Sequence, residues 1–324
     1  MDIIIGNESV RASIQPLGAM TTLVFNPGTP RQFSPSYTAK WEGFSELALL
    51  DSLRGDFLCV PFGAAPALAE DLPEAWREGF AGPSEWVHGP SANLEWTASE
   101  VGEDYARLFL EYAPDSPIEK VERRVTCLEG AVEFLDSILV RSDCCLPLGL
   151  HPIFSLPEAE GGARIELPEC DSLWAFPADS GTSVLDRGAV FHDATKAPRA
   201  DGGTLDLTRL PLKDEVDEIV LLAAPKEGRV ALFNEAEGYR VALEWDTEVL
   251  DHAMLWISNY GRKGAPWCGR NLCLGIEAIT SAFDFGTGVS GAPNPLSDAG
   301  FRTAVELHAG QIYEIRHCIT GEAL

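Results

Sequence analysis

An apolar–polar alternation of period two constrains this chain more than any other feature. In residues 239–246 (YRVALEWD), Tyr239, Val241, Leu243 and Trp245 point one way, and Arg240, Ala242, Glu244 and Asp246 the other. Successive side chains of an extended strand face opposite sides of a sheet, so this pattern suits a strand with one buried face. Residues 301–308 (FRTAVELH) repeat it, with Phe301, Thr303, Val305 and Leu307 against Arg302, Ala304, Glu306 and His308. Similar runs occur at SVRASIQ, ARLFLEYA, IEKVERRVTC, GRVALFN and QIYEIRHC. Half-buried strands of this kind are the signature of antiparallel sheets. The best helical signal is FSELALLDSLRG, with Ser45 as N-cap and Gly55 as stop. Thirty glycines and 22 prolines suit many short connections. Loop-rich stretches at 64–90, 155–215 and 259–271 interrupt the strands, but no repeat or linker divides the chain. The expectation is an all-β, mostly antiparallel protein spanning 1–324 as a single domain, with a division into two domains as the alternative.

Charge narrows the partners. The 324 residues carry 50 acidic and 24 basic side chains, a formal net charge of −26. Such a surface repels phosphate backbones and anionic lipid, so neither nucleic acid nor a membrane is an expected partner. No apolar run approaches the 18 residues or so that span a bilayer. The opening MDIIIGNESV has no basic segment ahead of its apolar stretch, so it does not read as a secretory signal. The expected compartment is the cytoplasm. None of the eight cysteines forms a C-x-x-C pair, and most sit in apolar runs such as FLCVPF and NLCLGIE, as reduced core thiols would.

Three residues stand out as carriers of chemistry. His88 lies in EWVHGPSANLEW, where the following glycine permits a sharp turn and Trp86 and Trp96 offer flat faces for a sugar ring. His151 lies in LPLGLHPIFSLP, where Pro152 biases it toward extended backbone and ends or kinks a strand at a sheet edge. Glu277 follows the apolar run of residues 272–276 in NLCLGIEAITSAFD. A carboxylate buried there would have a raised pKa, as a proton acceptor near neutral pH needs. His192, His252, His308 and His317 have no polar partner nearby in sequence and read as structural or exposed.

In order and spacing, WVHG with the later Trp96, GLHPIFSLP and LGIEAIT resemble three motifs of the aldose 1-epimerase family, within the galactose mutarotase-like superfamily. The stretch KDEVDEIVLL followed by GRVALFNEAEGYRVALEW resembles the family region that carries a sugar-binding aspartate. Asp217 is the matching position there and Asp214 the fallback. The likeness runs from about Gly55 to Phe283. Two departures stand within it. At CVPFGAAP the family has an asparagine–arginine pair whose arginine contacts sugar oxygens, where this chain has Gly63, Ala64 and Ala65, with Arg54 upstream as a substitute. Ala278 replaces the proline that follows the family glutamate.

The resemblance implies one large antiparallel β-sandwich and anomer interconversion of an aldose. Glu277 would accept the anomeric hydroxyl proton, His151 would protonate the ring oxygen, and His88 would hydrogen-bond the developing charge. Asp217 would bind the substrate. No cofactor or metal is expected, the partner is a small carbohydrate, and the chain is a monomer or homodimer. A non-catalytic sugar-binding protein on the same fold is the first alternative, since fold does not fix function. A second is a metal site of His88, His151 and Glu277, which no local ligand spacing supports. A carboxylate-pair glycosidase lacks a second acid standing out beside Glu277.

Overall fold

The alternating segments are strands, and burial follows their phase. In the computed structural model, which describes residues 1–41, 43 and 47–324, Tyr239–Trp245 buries Tyr239, Val241, Leu243 and Trp245. Val10–Ile14 buries Val10, Ala12 and Ile14. Among the described residues the strands form two large sheets and three small ones. The nine-stranded sheet is ordered Arg209–Leu210, Ala163–Glu166, Arg229–Asn234, Tyr239–Trp245, Ile312–Ala323, Ala131–Val140, Ile118–Leu128, Tyr105–Glu111 and Thr97–Val101. The eight-stranded sheet is ordered Val190–Phe191, Cys170–Ala175, Val216–Pro225, His252–Asn259, Leu272–Thr280, Leu148–Leu150 and Leu58–Cys59, with Ile153–Ser155 also paired to Leu272–Thr280. The ladders within both are antiparallel, as in Val216–Pro225 against His252–Asn259 and Ile118–Leu128 against Ala131–Val140.

One apolar cluster joins the facing sides of the two sheets, Val121, Val125, Phe134 and Leu243 from one with Leu150, Val220, Leu255 and Leu274 from the other. It draws on residues from Ile5 to Ile319. The eight-stranded sheet is covered on its other side too. Ile219, Met254, Trp256 and Cys273 pack there against Trp41, Trp76, Phe283 and Phe285, which come from connecting segments. Leu272–Thr280 is therefore buried at every position, which is why its sequence is a continuous apolar run rather than an alternation.

Several local readings are corrected. Among the described residues of FSELALLDSLRG, Ala48–Ser52 is helical; Ser45 lies outside the described residues. Gly55 is required for another reason. Its φ is +52°, and a Cβ there would stand 2.0 Å from the Thr21 carbonyl oxygen. In FRTAVELH only Val305–Leu307 joins a ladder; Phe301 instead packs edge-on against Trp174. The stretch 155–215 supplies Ala163–Glu166 and Cys170–Ala175 to the two large sheets, the first burying Ala163 and Ile165 in alternation.

Candidate active site

The outer face of the eight-stranded sheet positions the chemistry. Met254 pairs with Glu277, Trp256 with Gly275, and Ser258 with Cys273. Across the next ladder Trp256 pairs with Ile219 and Ser258 with Asp217. Directly paired residues share a face, so Glu277, Gly275, Trp256, Ser258 and Asp217 all lie on this side of the sheet. Glu277 is not at a strand end, as its strand runs on to Thr280. Leu148 pairs with Thr280 and Gly149 with Ile279; beyond the bend at Pro152, Ile153 pairs with Gly275. The register is unchanged across the bend and sets His151 opposite Glu277. Their Nε2 and Oε1 atoms are 3.5 Å apart. The short strand Leu58–Cys59 lies on the far side of Leu148–Leu150, so His151 stands one strand in from the edge. Its backbone N–H donates to the Phe57 carbonyl, and its ring stacks on Phe57 at 4.7 Å. A Cβ at Gly275 would come within 2.8 Å of Glu277 Oε1, so the glycine makes room for the carboxyl group.

His88 arrives from a loop on two consecutive left-handed residues, φ +59° for itself and +77° for Gly89. Any Cβ at Gly89 would collide with the Val60 carbonyl at 2.2 Å, which is the sharp turn the His–Gly pair allows. The His88 N–H donates to Gly63 O, and the Gly63 N–H donates to His88 Nδ1 at 3.3 Å. With Nδ1 accepting, the neutral ring carries its proton on Nε2. The His88 and His151 rings meet edge to face, 4.9 Å between centroids.

His88, His151 and Glu277 line one cavity of about 120 Å³, with Arg262, Asp284, Trp256 and Trp267. His151 Nδ1 and Glu277 Oε2 are buried and have no hydrogen-bond partner among the described residues. Burial pushes Glu277 well above the usual carboxylate range; Asp284 adds to the rise and Arg262 opposes it. Burial lowers His151 to about 4, and burial with the neighbouring His151 lowers His88 well below its usual value. Burial raises Asp284 as well. Larger depressions, of about 660, 490, 310 and 270 Å³, bring together no histidine, and their carboxylates are exposed.

Asp217 does not line this cavity. It is buried behind Arg262, whose Nε lies 2.8 Å from Asp217 Oδ2. Asp214 pairs instead with Arg199 at 2.9 Å, outside the site. The flat faces are not those of Trp86 and Trp96. Trp96 is buried in the main core, Trp86 borders the 310 Å³ depression, and Trp256 and Trp267 take the position beside Glu277. Arg54 does not reach the cavity; its Nε donates to Ser52 O. Sequence reading missed Arg262, Asp284, Trp256 and Trp267. The only available signal was their place in or beside the 259–271 loop and the SAFDFG turn, which no local pattern connects to Glu277. His317 and His252 do have polar partners, Asp56 Oδ2 at 3.1 Å and the Arg302 carbonyl at 2.8 Å, both remote in sequence.

Comparison with protein-family models and with curated proteins gives no match. Solved structures do match along the whole chain. A candidate aldose 1-epimerase from Escherichia coli K12 superposes with a TM-score of 0.70 at 15% identity, covering 100% of this chain and 99% of its own. An aldose epimerase homologue from C. elegans gives 0.65 at 14%, with the same two coverages. A galactose mutarotase-like protein from Clostridium acetobutylicum gives 0.65 at 16%, covering 98% and 94%. The chain has the galactose mutarotase-like fold. The antiparallel sheets expected from alternation, and the large sandwich implied by the resemblance, are thus the observed architecture. Among the described residues no cluster of three or more His, Cys, Asp or Glu side chains could hold a metal ion, and no helix is long and apolar enough to cross a membrane.

Proposed function

We propose that this protein is an aldose 1-epimerase, interconverting the α and β anomers of a small sugar by acid–base ring opening. The observation that carries the reading is the facing pair His151 and Glu277, 3.5 Å apart in a buried cavity, each with a second polar atom unspent. The anomeric hydroxyl and the ring oxygen are bonded to the same carbon, so the base and the acid that serve them must stand close together. Glu277 takes the anomeric hydroxyl proton while His151 delivers one to the ring oxygen. The C1–O5 bond breaks, the aldehyde turns about C1–C2, and the reverse transfers close the other anomer. One proton enters the pair and one leaves. The working form is the Glu277 carboxylate with the His151 imidazolium. Burial favours the neutral acid and the neutral imidazole, so it keeps this ion pair the minor form while making its carboxylate the stronger base and its imidazolium the stronger acid. His88, with its N–H on Nε2, supplies a hydrogen bond beside them. The chemistry needs no cofactor.

Glu277→Gln tests this. The amide keeps the size and hydrogen-bonding reach but cannot accept the proton, so anomer exchange by NMR or polarimetry should fall about 100-fold or more. Sugar affinity should change far less. Near-wild-type turnover would remove Glu277 from its role. A sugar-binding protein without catalysis is the second reading, favoured by Gly63, Ala64 and Ala65 standing where the family pattern has asparagine–arginine. Binding of sugars with no acceleration of any would select it.

A further inference from the structure

Arg262 is held by an arrangement more elaborate than a surface ion pair. Asp217 is 1% exposed, and its carboxylate accepts from Ser258 Oγ at 3.1–3.2 Å and from the Gly261 N–H at 3.2 Å, besides pairing with Arg262 Nε. Ser258 in turn accepts from Asn271 Nδ2 at 2.8 Å, and Asn271 Oδ1 accepts from the Tyr37 hydroxyl. Gly261 permits the approach, because a Cβ there would lie 2.5 Å from Asp217 N and 2.9 Å from its Oδ1. The guanidinium carbon lies over the rings of Trp267 and Trp256, at 5.0 and 5.3 Å. A buried chain of four residues, Tyr37, Asn271, Ser258 and Asp217, and two indoles thus fix one arginine at the cavity wall. Both oxygens of Asp217 are engaged, whereas among the described residues no hydrogen bond occupies the Nη groups of Arg262.

We infer that Arg262, mounted on Asp217, supplies the hydrogen bonds to sugar hydroxyls here, and that this charge-balanced pair selects uncharged sugars over anionic ones. The inference rests on the proposed function only in taking a sugar as the ligand. Arg262 is the one Lys or Arg among the described residues lining the cavity, and Asp217 already neutralises it. Glu277 and Asp284 face the same space. A phosphate or carboxylate entering would shed its water without meeting an unneutralised cation, which is costly in a buried site. A hydroxyl needs only donors and acceptors, which the free Nη groups and the two carboxyl groups provide. The net charge of −26 repels anions at longer range. Asp217 is on this account a positioning residue acting through Arg262.

The experiment measures affinity and anomer exchange separately, by NMR, for D-galactose, D-glucose, D-glucose 6-phosphate and D-galacturonate. The wild type should bind the better hexose at least tenfold more tightly than either anion. Asp217→Asn, which keeps the side-chain volume and unmasks the Arg262 charge, should shift that ratio tenfold or more toward the anions. Arg262→Gln should weaken hexose binding by roughly 10- to 100-fold, as expected for lost hydrogen bonds from a charged donor, without improving anion binding. Tighter wild-type binding of the phosphate or the uronate overturns the inference. So does an unaltered hexose affinity in Arg262→Gln, or no binding of any of the four. If Asp217→Asn does not fold, the wild-type ratio and Arg262→Gln still decide. Hexose binding without exchange leaves the inference standing and sinks the epimerase reading instead.

Discussion

Two buried charged clusters in this molecule have opposite characters. In the sandwich interior, Arg123 donates from Nε and Nη2 to both oxygens of Asp136, at 2.7 and 2.9 Å, and from Nη1 to Asp56 at 2.9 Å. His317 joins through Asp56 at 3.1 Å and stacks on Phe134 at 4.4 Å. Burial alone would raise Asp56, but His317 and Arg123 outweigh it and hold the carboxylate below its usual value. The other cluster, on the outer face of the eight-stranded sheet, has its acid and imidazole 3.5 Å apart without a close hydrogen bond, and burial pushes both toward their neutral forms. Among the described residues Asp56 Oδ1 and His317 Nδ1 also lack hydrogen-bond partners, so an unspent polar atom does not by itself mark a site. The cavity beside Glu277 does not reach them. What separates a structural cluster from a candidate catalytic one here is charge satisfied by charge in one, and polarity left facing open space in the other.

That contrast can be broken most directly at Arg123. Arg123→Met leaves Asp56 and Asp136 buried without their cation and should cost about 3–5 kcal/mol in denaturant unfolding. A loss under 1 kcal/mol would mean that the cluster is not held by its charges. The effect at the site is smaller and depends on pH. His151 titrates at about 4 when folded and near 6.5 in its ordinary state. The unfolded chain therefore binds more protons between these values, and stability falls as pH drops through the window. His88 and His252 are shifted the same way by burial. Replacing His151 with glutamine should remove its share, making the stability lost between pH 7 and pH 5 smaller by about 2 kcal/mol. An unchanged loss would place the acid sensitivity elsewhere. The smallest expected effect tests the room left for the carboxyl group. Gly275→Ala puts a Cβ 2.8 Å from Glu277 Oε1 and 3.2 Å from Trp256 Cβ. Anomer exchange should fall about tenfold for a displaced acid–base group while the protein stays folded. Full activity would show that the cavity wall tolerates the methyl group.

The same segments show how far local pattern reaches. In IEKVERRVTC the phase that buries Val121, Val125 and Cys127 also buries Arg123, so alternation foretold the face and not the charge it had to accommodate. His151 and Glu277 were legible because each breaks its surroundings, a histidine before proline and a carboxylate in an apolar run. The opposed register that makes them a pair was not, since it depends on ladders between strands more than 100 residues apart.

Alternation of apolar and polar residues determined by itself that this chain makes antiparallel sheets, because side-chain direction along a strand is a local property of extended backbone. The His–Gly and His–Pro pairs likewise determined local backbone, through the freedom of one residue and the restriction of the other. Only the tertiary structure decided that Asp217 stands behind Arg262 rather than in the cavity. It also decided that Trp256 and Trp267, not Trp86 and Trp96, flank Glu277, and that Asp284 is the second carboxyl group of the cavity. These are contacts between loops and strands whose meeting is set by sheet order and register. No short stretch of sequence encodes them, because the energy that fixes them is the burial of two whole sheet faces.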